Sequence, residues 1–318
     1  MGRANEGNAV RAVQLDLRLV GMDVRPERGD VVLPRAVERV YVPPIKSQGI
    51  KTKLVPFILK SIRWSGSGRW FEPFLGSGVV LFNVGPPRAY AADTNVHIIR
   101  FYQDIRSGAI DGNVVREYLE HEGNILSRRG GEYYYEVRAR FNATPSSLDF
   151  LFLNRACFNG IVRFNRRGEF NVPFVKKDDR FRRAHITKIA NQVAEAGRLM
   201  RDRDWVFEVA DWRDTLGRVE AGDFVYADPP YIGRHTDYYN GWTEEEAASM
   251  LQRLRSLPSG FALSTWKQNR YRRNSRLDCS MPDITIRTTS HFYHVGPTEE
   301  LRNEIEEALL IKNEYAAT

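Results

Sequence analysis

The feature that most constrains this chain is a rhythm near its start: a strand, a glycine turn, an apolar helix, and a second strand ending on an acid. Residues 69–74 read as the first strand and Leu75-Gly76-Ser77-Gly78 as the turn. An apolar helix follows from Val79, and residues 88–92 form a second strand that closes on Asp93. Glycine lets main chain approach a ligand closely, and a carboxylate at a strand tip can accept from hydroxyl groups. This order opens a doubly wound α/β sheet. A glycine turn alone reads equally well as a packing turn; its spacing to Asp93 favours a ligand site. The turn lacks the GxGxxG spacing and any Gly-Lys-Ser/Thr, which argues against dinucleotide and P-loop sites.

The rest of the chain fits one sheet with a helical module set into its middle. Residues 54–62 read as a helix before the first strand, and residues 97–103 as a helix after the second. Residues 110–200 lose the strand rhythm and read as mostly helical, broken at 159–173. Strands return at 205–209, 223–227 and 260–264, with closing strands at 284–287 and 308–311. The sheet domain therefore divides into residues 42–110 and 201–318 around an inserted module at 111–200. Residues 1–41 read as an Arg-rich arm with a Val/Leu pattern at 13–24. Val42-Pro43-Pro44 sets the arm off, because consecutive prolines favour extended backbone.

Composition narrows the class. With 42% hydrophobic and 12% aromatic residues in 318, the chain can bury a sizeable core. A net charge of +7 favours a polyanionic partner only weakly by itself. Cys157 and Cys279 stand far apart without a CxxC, which fits a reducing cytoplasm rather than a disulfide framework or zinc knuckle. No apolar run approaches membrane-spanning length, and residues 1–11 lack the core of a signal peptide. A soluble, intracellular protein is the expectation. The six histidines are dispersed, and His291-Phe292-Tyr293-His294 lacks metal-site spacing, so no metal is expected.

The second constellation is Asp228-Pro229-Pro230-Tyr231, directly after the apolar run Phe224-Val225-Tyr226. It puts a carboxylate at the carboxyl edge of the sheet, where such folds bind ligands. Two prolines stiffen the turn and leave carbonyls free to accept, and Tyr231 offers a flat face for stacking. Acceptors for its hydrogens and an aromatic clamp for its ring are what a planar amine needs to act as a nucleophile. The competing reading is a rigid surface turn.

Three segments carry a resemblance. Glu72-Pro73-Phe74 with Gly76 and Gly78, the block Phe152-Leu153-Asn154-Arg155-Ala156-Cys157-Phe158-Asn159-Gly160, and Asp228-Pro229-Pro230-Tyr231 resemble the Dam-type (D12 class, alpha group) DNA adenine N6-methyltransferases. The middle block continues through Arg163-Phe164-Asn165, Gly168 and Phe170-Asn171-Val172-Pro173-Phe174. Val42 to Pro56, Tyr231-Ile232-Gly233-Arg234-His235 and His291-Phe292-Tyr293-His294-Val295-Gly296 are similar to the EcoRV-type modification enzymes within that group. The likeness runs from about Val42 to Asn313 and leaves the arm uncovered.

The resemblance implies a Rossmann-like methyltransferase sheet, S-adenosylmethionine as cofactor and double-stranded DNA as partner. Ser47 and Lys51 would lie near the methionine part of the cofactor, although the family pattern has Trp where this chain has Ser47. Glu72, Phe74, Gly76 and Gly78 would line the cofactor, and Asp93 would bind its ribose. Asp211 and Trp212 would take its adenine edge and face, with Trp212 where Phe is commoner. Asp228 and the Pro229 carbonyl would accept from the target amino group, beside the cofactor, and Tyr231 would stack on a flipped base.

The resemblance also bears on a basic stretch. Arg163, Arg166, Arg167, Lys176, Lys177, Arg180, Arg182 and Arg183 face only Glu169, Asp178 and Asp179. A charge run is usually a solvated face. Interleaved Phe158, Phe164, Phe170, Phe174 and Phe181, together with the family likeness, turn the reading to DNA recognition. Asn165-Arg166-Arg167-Gly168 reads as a hairpin tip. Lys46, Phe158, Asn159, Ile161 and Arg163 are then expected at the bases, and Arg166, Arg167 and Lys176 at phosphates. The implied target is a palindrome beginning GAT, GATATC ahead of GATC. The implied setting is a monomeric modification enzyme with a companion restriction endonuclease encoded nearby. Cytosine N4 or a glutamine amide remain alternative amines, and a DNA-binding regulator with a vestigial pocket is the alternative from another class.

Overall fold

The computed structural model describes residues 32–47, 49–231, 242–278, 280–292 and 304–318. The pattern at 13–24, Gln48, Ile232-Gly233-Arg234-His235, Cys279 and Tyr293-His294-Val295-Gly296 lie outside the described residues. Helix α1 (Val55–Ser61) carries Pro56 in its first turn, where a missing donor costs nothing. It leads to β1 (Trp70–Glu72), α2 (Val79–Val84), β2 (Arg88–Asp93) and α3 (Val96–Ser107). Asn95 caps α3 by accepting from the amides of His97 and Ile98.

The inserted module supplies α4 (Gly112–Arg129), α5 (Gly131–Ala143), α6 (Ser147–Ala156) and α7 (Arg183–Arg201). Asp111 caps α4 and Ser146 caps α6. The sheet resumes with β3 (Asp204–Val209), α8 (Trp212–Leu216), β4 (Phe224–Ala227) and α9 (Glu244–Arg255). Strands β5 (Gly260–Asn269), β6 (Ile284–Phe292) and β7 (Glu304–Lys312) complete it.

Among the described residues the strands form one seven-stranded sheet, ordered β3-β2-β1-β4-β5-β7-β6. Strands β1 to β5 run parallel to one another, and β7 lies antiparallel between β5 and β6. Sheet order reverses between β1 and β4, which opens a crevice at their carboxyl ends. Alternation along each central strand sends side chains to two cores. Trp70, Phe224 and Tyr226 join one, while Phe71, Val225 and Ala227 join the other. Trp70 stacks on Phe224 with ring centres 5.1 Å apart, a contact worth about 0.5–1.5 kcal/mol beyond its burial. The first core runs without a break into Leu119, Tyr134, Phe150 and Ile186 of the insert. The expected borders near 110 and 200 thus mark a change of secondary structure within a shared core.

Two expectations need correction. The arm was bounded at residue 41, but docked chain begins by residue 33. Leu33 is buried and exchanges backbone hydrogen bonds with Trp64 at 2.9 and 3.1 Å. The Arg35 guanidinium donates to the Val84 carbonyl at 2.9 Å, and the Tyr41 amide donates to Asn83 Oδ1 at 2.9 Å. Free carbonyls at the end of α2 recruit Arg35, and the Asn83 side chain recruits the Tyr41 amide, which a sequence pattern does not reveal. Second, the expected hairpin consists of isolated bridges, Phe164 with Phe170 and Cys157 with Phe174, rather than strands. Its tip is a polar turn: Asn165 Oδ1 accepts from the amides of Arg167 at 2.9 Å and Glu169 at 3.0 Å.

Candidate active site

A cleft of about 490 Å³ opens at the carboxyl ends of β1, β2 and β4. Its walls include Ser47, Lys51, Glu72, Phe74, Gly76, Asp93, Asp211, Trp212 and Asp228, which sequence reading had scattered over some 180 positions. That volume lies within the ordinary range for small-molecule sites. Strand tips and the turns after them bring these residues together because parallel strands end at one edge.

The turn after β1 is shaped by positive backbone angles. Gly76 has φ of 50°, which excludes most side chains, and its amide donates to Asp93 Oδ2 at 2.9 Å. Asp93 Oδ1 accepts from the Asn95 amide at 2.9 Å, so the carboxylate is fixed at the tip of β2. Burial raises its pKa against these two backbone donors. A fixed acidic acceptor beside main chain that bears no Cβ suits a ribose.

An aromatic wall faces it. Trp212 follows Asp211, which caps α8 by accepting from the Arg213 amide at 2.8 Å. Phe74 meets Trp242 edge-on at 5.5 Å, and Trp242 lies 6.4 Å from Trp212. The Arg213 guanidinium sits 4.3 Å above the Trp212 ring and pairs with Glu246 at 2.5 Å. Trp242, Arg213 and Glu246 were not anticipated; Arg213 directly follows the Asp211-Trp212 pair, whereas Trp242 and Glu246 lie some 30 positions on and carry no motif.

The deepest part is a cluster of carboxyl groups around one lysine. Asp228 leaves β4 on the Pro229-Pro230 turn, and Lys51 Nζ lies 2.8 Å from its Oδ1 as an ion pair. Oδ1 is closed to solvent, so the 22% exposure of this side chain lies on the rest of it. Burial pushes the Asp228 pKa up, and Lys51 opposes that push. Glu72 is 2% exposed and accepts from Trp70 Nε1 at 2.9 Å. Burial raises its pKa to about 8, with Asp228 adding to the rise and Trp70 opposing it. Near pH 7 Glu72 therefore holds a proton. Carboxyl groups beside a cleft lined by aromatic rings suit a cationic ligand with an aromatic part, against whose charge Glu72 can ionise.

Tyr231 lies beside the same lysine. Its ring is buried, Lys51 Nζ lies 4.7 Å from the ring centre, and its hydroxyl donates to Glu307 Oε2 at 2.6 Å. Gly78, with φ of 70°, caps the start of α2.

The inserted module forms the roof. Arg163, Phe164, Asn165 and Gly168 line the same cleft as the sheet residues. Arg163 Nε donates to Asn171 Oδ1 at 2.9 Å. His97, at the start of α3, stacks on Phe164 at 4.9 Å and lies 4.8 Å from Phe141. Burial, aided by Arg100, lowers the His97 pKa to about 4, so it is neutral in this joint. Lys46 packs against Gly160, where an added Cβ would meet its side chain at 2.6 Å. Asn154 holds the Lys46 main chain at both its amide, 2.9 Å, and its carbonyl, 2.8 Å. Burial, with Arg155 and Arg180 nearby, lowers the Lys46 pKa to about 8. Phe158 is half exposed, and Asn159 next to it adopts φ of 55°. Ile161 is half-buried against the core, while Arg166, Arg167 and Lys176 are exposed.

Residues 47–292 match the family described as D12 class N6 adenine-specific DNA methyltransferase. The retron Ec67 DNA adenine methylase of Escherichia coli is 30% identical over 210 residues, 64% of this chain and 68% of its own. The DNA adenine methylase of Serratia marcescens is 33% identical over 166 residues, 50% of this chain and 56% of its own. That of Escherichia coli strain K12 is 31% identical over 193 residues, 57% of this chain and 64% of its own. The matched stretches thus span between 56% and 68% of these relatives.

Proposed function

The chain belongs to the D12 class of N6 adenine-specific DNA methyltransferases, and on that premise we propose that it methylates the exocyclic amino group of adenine within a short duplex DNA palindrome. The observation that carries this reading is Asp228, held on a Pro-Pro turn in the cleft that Asp93, Gly76 and Trp212 also line. S-adenosylmethionine, when bound, supplies an electrophilic methyl group on a cationic sulfur. The fixed Asp93 carboxylate, the aromatic wall and the acidic floor fit its ribose, adenine and positive charge.

The chain's own residues then do three things. Asp228 and the Pro229 carbonyl accept the two amino hydrogens, which turns the nitrogen lone pair towards the methyl carbon. Held in this way, the nitrogen would take the methyl group that the bound cofactor would supply. A proton then leaves the methylated nitrogen to Asp228 or water. Lys51 occupies Oδ1 and leaves the other oxygen of Asp228 for the amine. Catalysis of this kind is positioning plus electrostatics in a site shielded from water.

Adenine must leave the stack to reach so deep a carboxylate. Phe158 and Asn159 at an exposed turn fit a wedge and a base contact. Lys46, Ile161 and Arg163 fit base reading, and Arg166, Arg167 and Lys176 fit phosphate binding. GATATC, then GATC, are the first sites to test, and a role as the modification partner of a restriction endonuclease belongs to the same reading. Nucleoside digestion of duplex DNA after incubation with protein and cofactor tests it. N6-methyladenine is the expected product; N4-methylcytosine would replace the reading with its amine alternative.

A further inference from the structure

We propose that the basic turn at residues 267–273 is a second grip on the DNA backbone, on the opposite side of the catalytic turn from the recognition hairpin. The inference rests on the duplex-DNA reading above. Strand β4 pairs with β5 only as far as Ala227 and Leu263, yet β5 continues to Asn269. Six further residues at roughly 3.3 Å each carry it up to about 20 Å past the end of β4. Because β4 and β5 are parallel, the extension projects from the edge that bears Asp228. The hairpin contacts His97 of α3, which follows β2. In the sheet order, β4 lies between that side and β5.

The end of the extension is charged and built. From Leu263 to Leu277 the chain has Lys267, Arg270, Arg272, Arg273 and Arg276 and no carboxylate. Lys267 pairs with Glu306 at 3.1 Å and Arg276 with Glu244 at 2.9 Å. Arg270, Tyr271, Arg272 and Arg273 are exposed. Two asparagines hold the turn's backbone. Asn269 Oδ1 accepts from the amides of Tyr271 and Arg272, both at 2.8 Å. The Asn274 amide donates to the Lys267 carbonyl at 2.8 Å, and its Nδ2 to Trp266 at 3.0 Å. A merely solvated charge run needs no such bracing. A pre-ordered turn loses little entropy on binding, and arginine with tyrosine is a usual phosphate-contacting set. With a flipped adenine at Asp228, the duplex must lie above this edge, and an arm of that reach meets its flank rather than the target base.

The test is salt-dependent binding of the full chain to two duplexes, one with long flanks on both sides of the site and one trimmed on both sides, since a palindrome can be bound in either orientation. The triple variant R270A/R272A/R273A should weaken binding to the long duplex and lower the slope of log K against log salt by about 1–3. Turnover at saturating DNA should be unchanged, and the difference from wild type should vanish on the trimmed duplex. The triple lysine variant should restore the slope, since phosphate binding reads charge, whereas a structural role for the guanidinium groups would leave it defective. An unchanged slope, equal loss on every duplex, or no rescue by lysine overturns the grip. Product analysis keeps the two readings apart. A wild type that methylates adenine with an unchanged variant slope sinks only the grip. A changed slope with methylated cytosine sinks only the adenine assignment.

Discussion

The Asp228-Pro229-Pro230 turn after β4 and the hairpin tip at 165–168 are both short and polar, but they are built in opposite ways. At the turn, Asp228 and Glu72 are enclosed by strands and by Lys51, and burial lifts the pKa of both acids. At the tip, Arg166 and Arg167 stand in solvent on a turn held by Asn165. Enclosure makes each charge strong and its loss costly, whereas exposure makes each charge weak and its effect dependent on salt. On the proposed function, the comparison divides chemistry from grip by depth. Arg163, at the foot of the hairpin but in the wall of the cleft, belongs to both regions.

The largest effect should come from the buried side. Asp228→Ala removes the acceptor of the amino hydrogens and should cost roughly 10²–10³ in single-turnover methyl transfer while leaving DNA affinity within a few-fold. Near-normal turnover would erase the contrast. Next comes Arg163→Ala. Its loss should relax discrimination by about 10- to 100-fold at one base pair, measured as relative methylation rates over single-base variants of the site. An equal fall on all sites would move Arg163 wholly to the gripping side.

A smaller effect separates the regions by pH. Glu72 is protonated in the free cleft up to about pH 8. A bound cation favours its ionised form, so cofactor binding near pH 7 should release protons. Affinity should therefore rise as pH climbs towards 8 and level off above it, by about tenfold at most per unit. Glu72→Gln should flatten that profile in calorimetric titrations, and a wild-type profile without slope would remove Glu72 from the cofactor's surroundings. The smallest effect belongs to the tip: Arg166→Ala should lower the salt slope of DNA binding by about 0.9 and leave site choice alone. A selective gain of one wrong base pair would overturn its assignment to phosphate.

What the sequence made legible follows the same division. Strands β1, β2 and β4 lie close to where their apolar runs put them, because both faces are largely buried, while β3 at the sheet edge keeps a readable alternation of Trp205 and Phe207 with exposed Val206 and Val209. Strands β5, β6 and β7 extend further than expected. Their outer halves are partly exposed, as at Thr288, Thr289 and Glu304, so alternation fades while pairing between strands persists. Asp228, Asp93 and Gly76 were readable because each sits in a local motif at a strand end. Trp242, His97 and Glu307 were not, since only the fold brings them to the cleft or to Tyr231. The docking of Leu33 and Arg35 escaped for the same reason: their partners, Trp64 and the end of α2, lie 31 to 49 positions away.

The most direct measurement of the division by depth is single-turnover methylation of every single-base variant of the preferred site by wild type, Asp228→Asn and Arg163→Ala. The account predicts that Asp228→Asn lowers all rates by one common factor and keeps the rank order of sites, while Arg163→Ala reorders them at one base pair. A reordered profile for Asp228→Asn, with a uniform fall for Arg163→Ala, would contradict it.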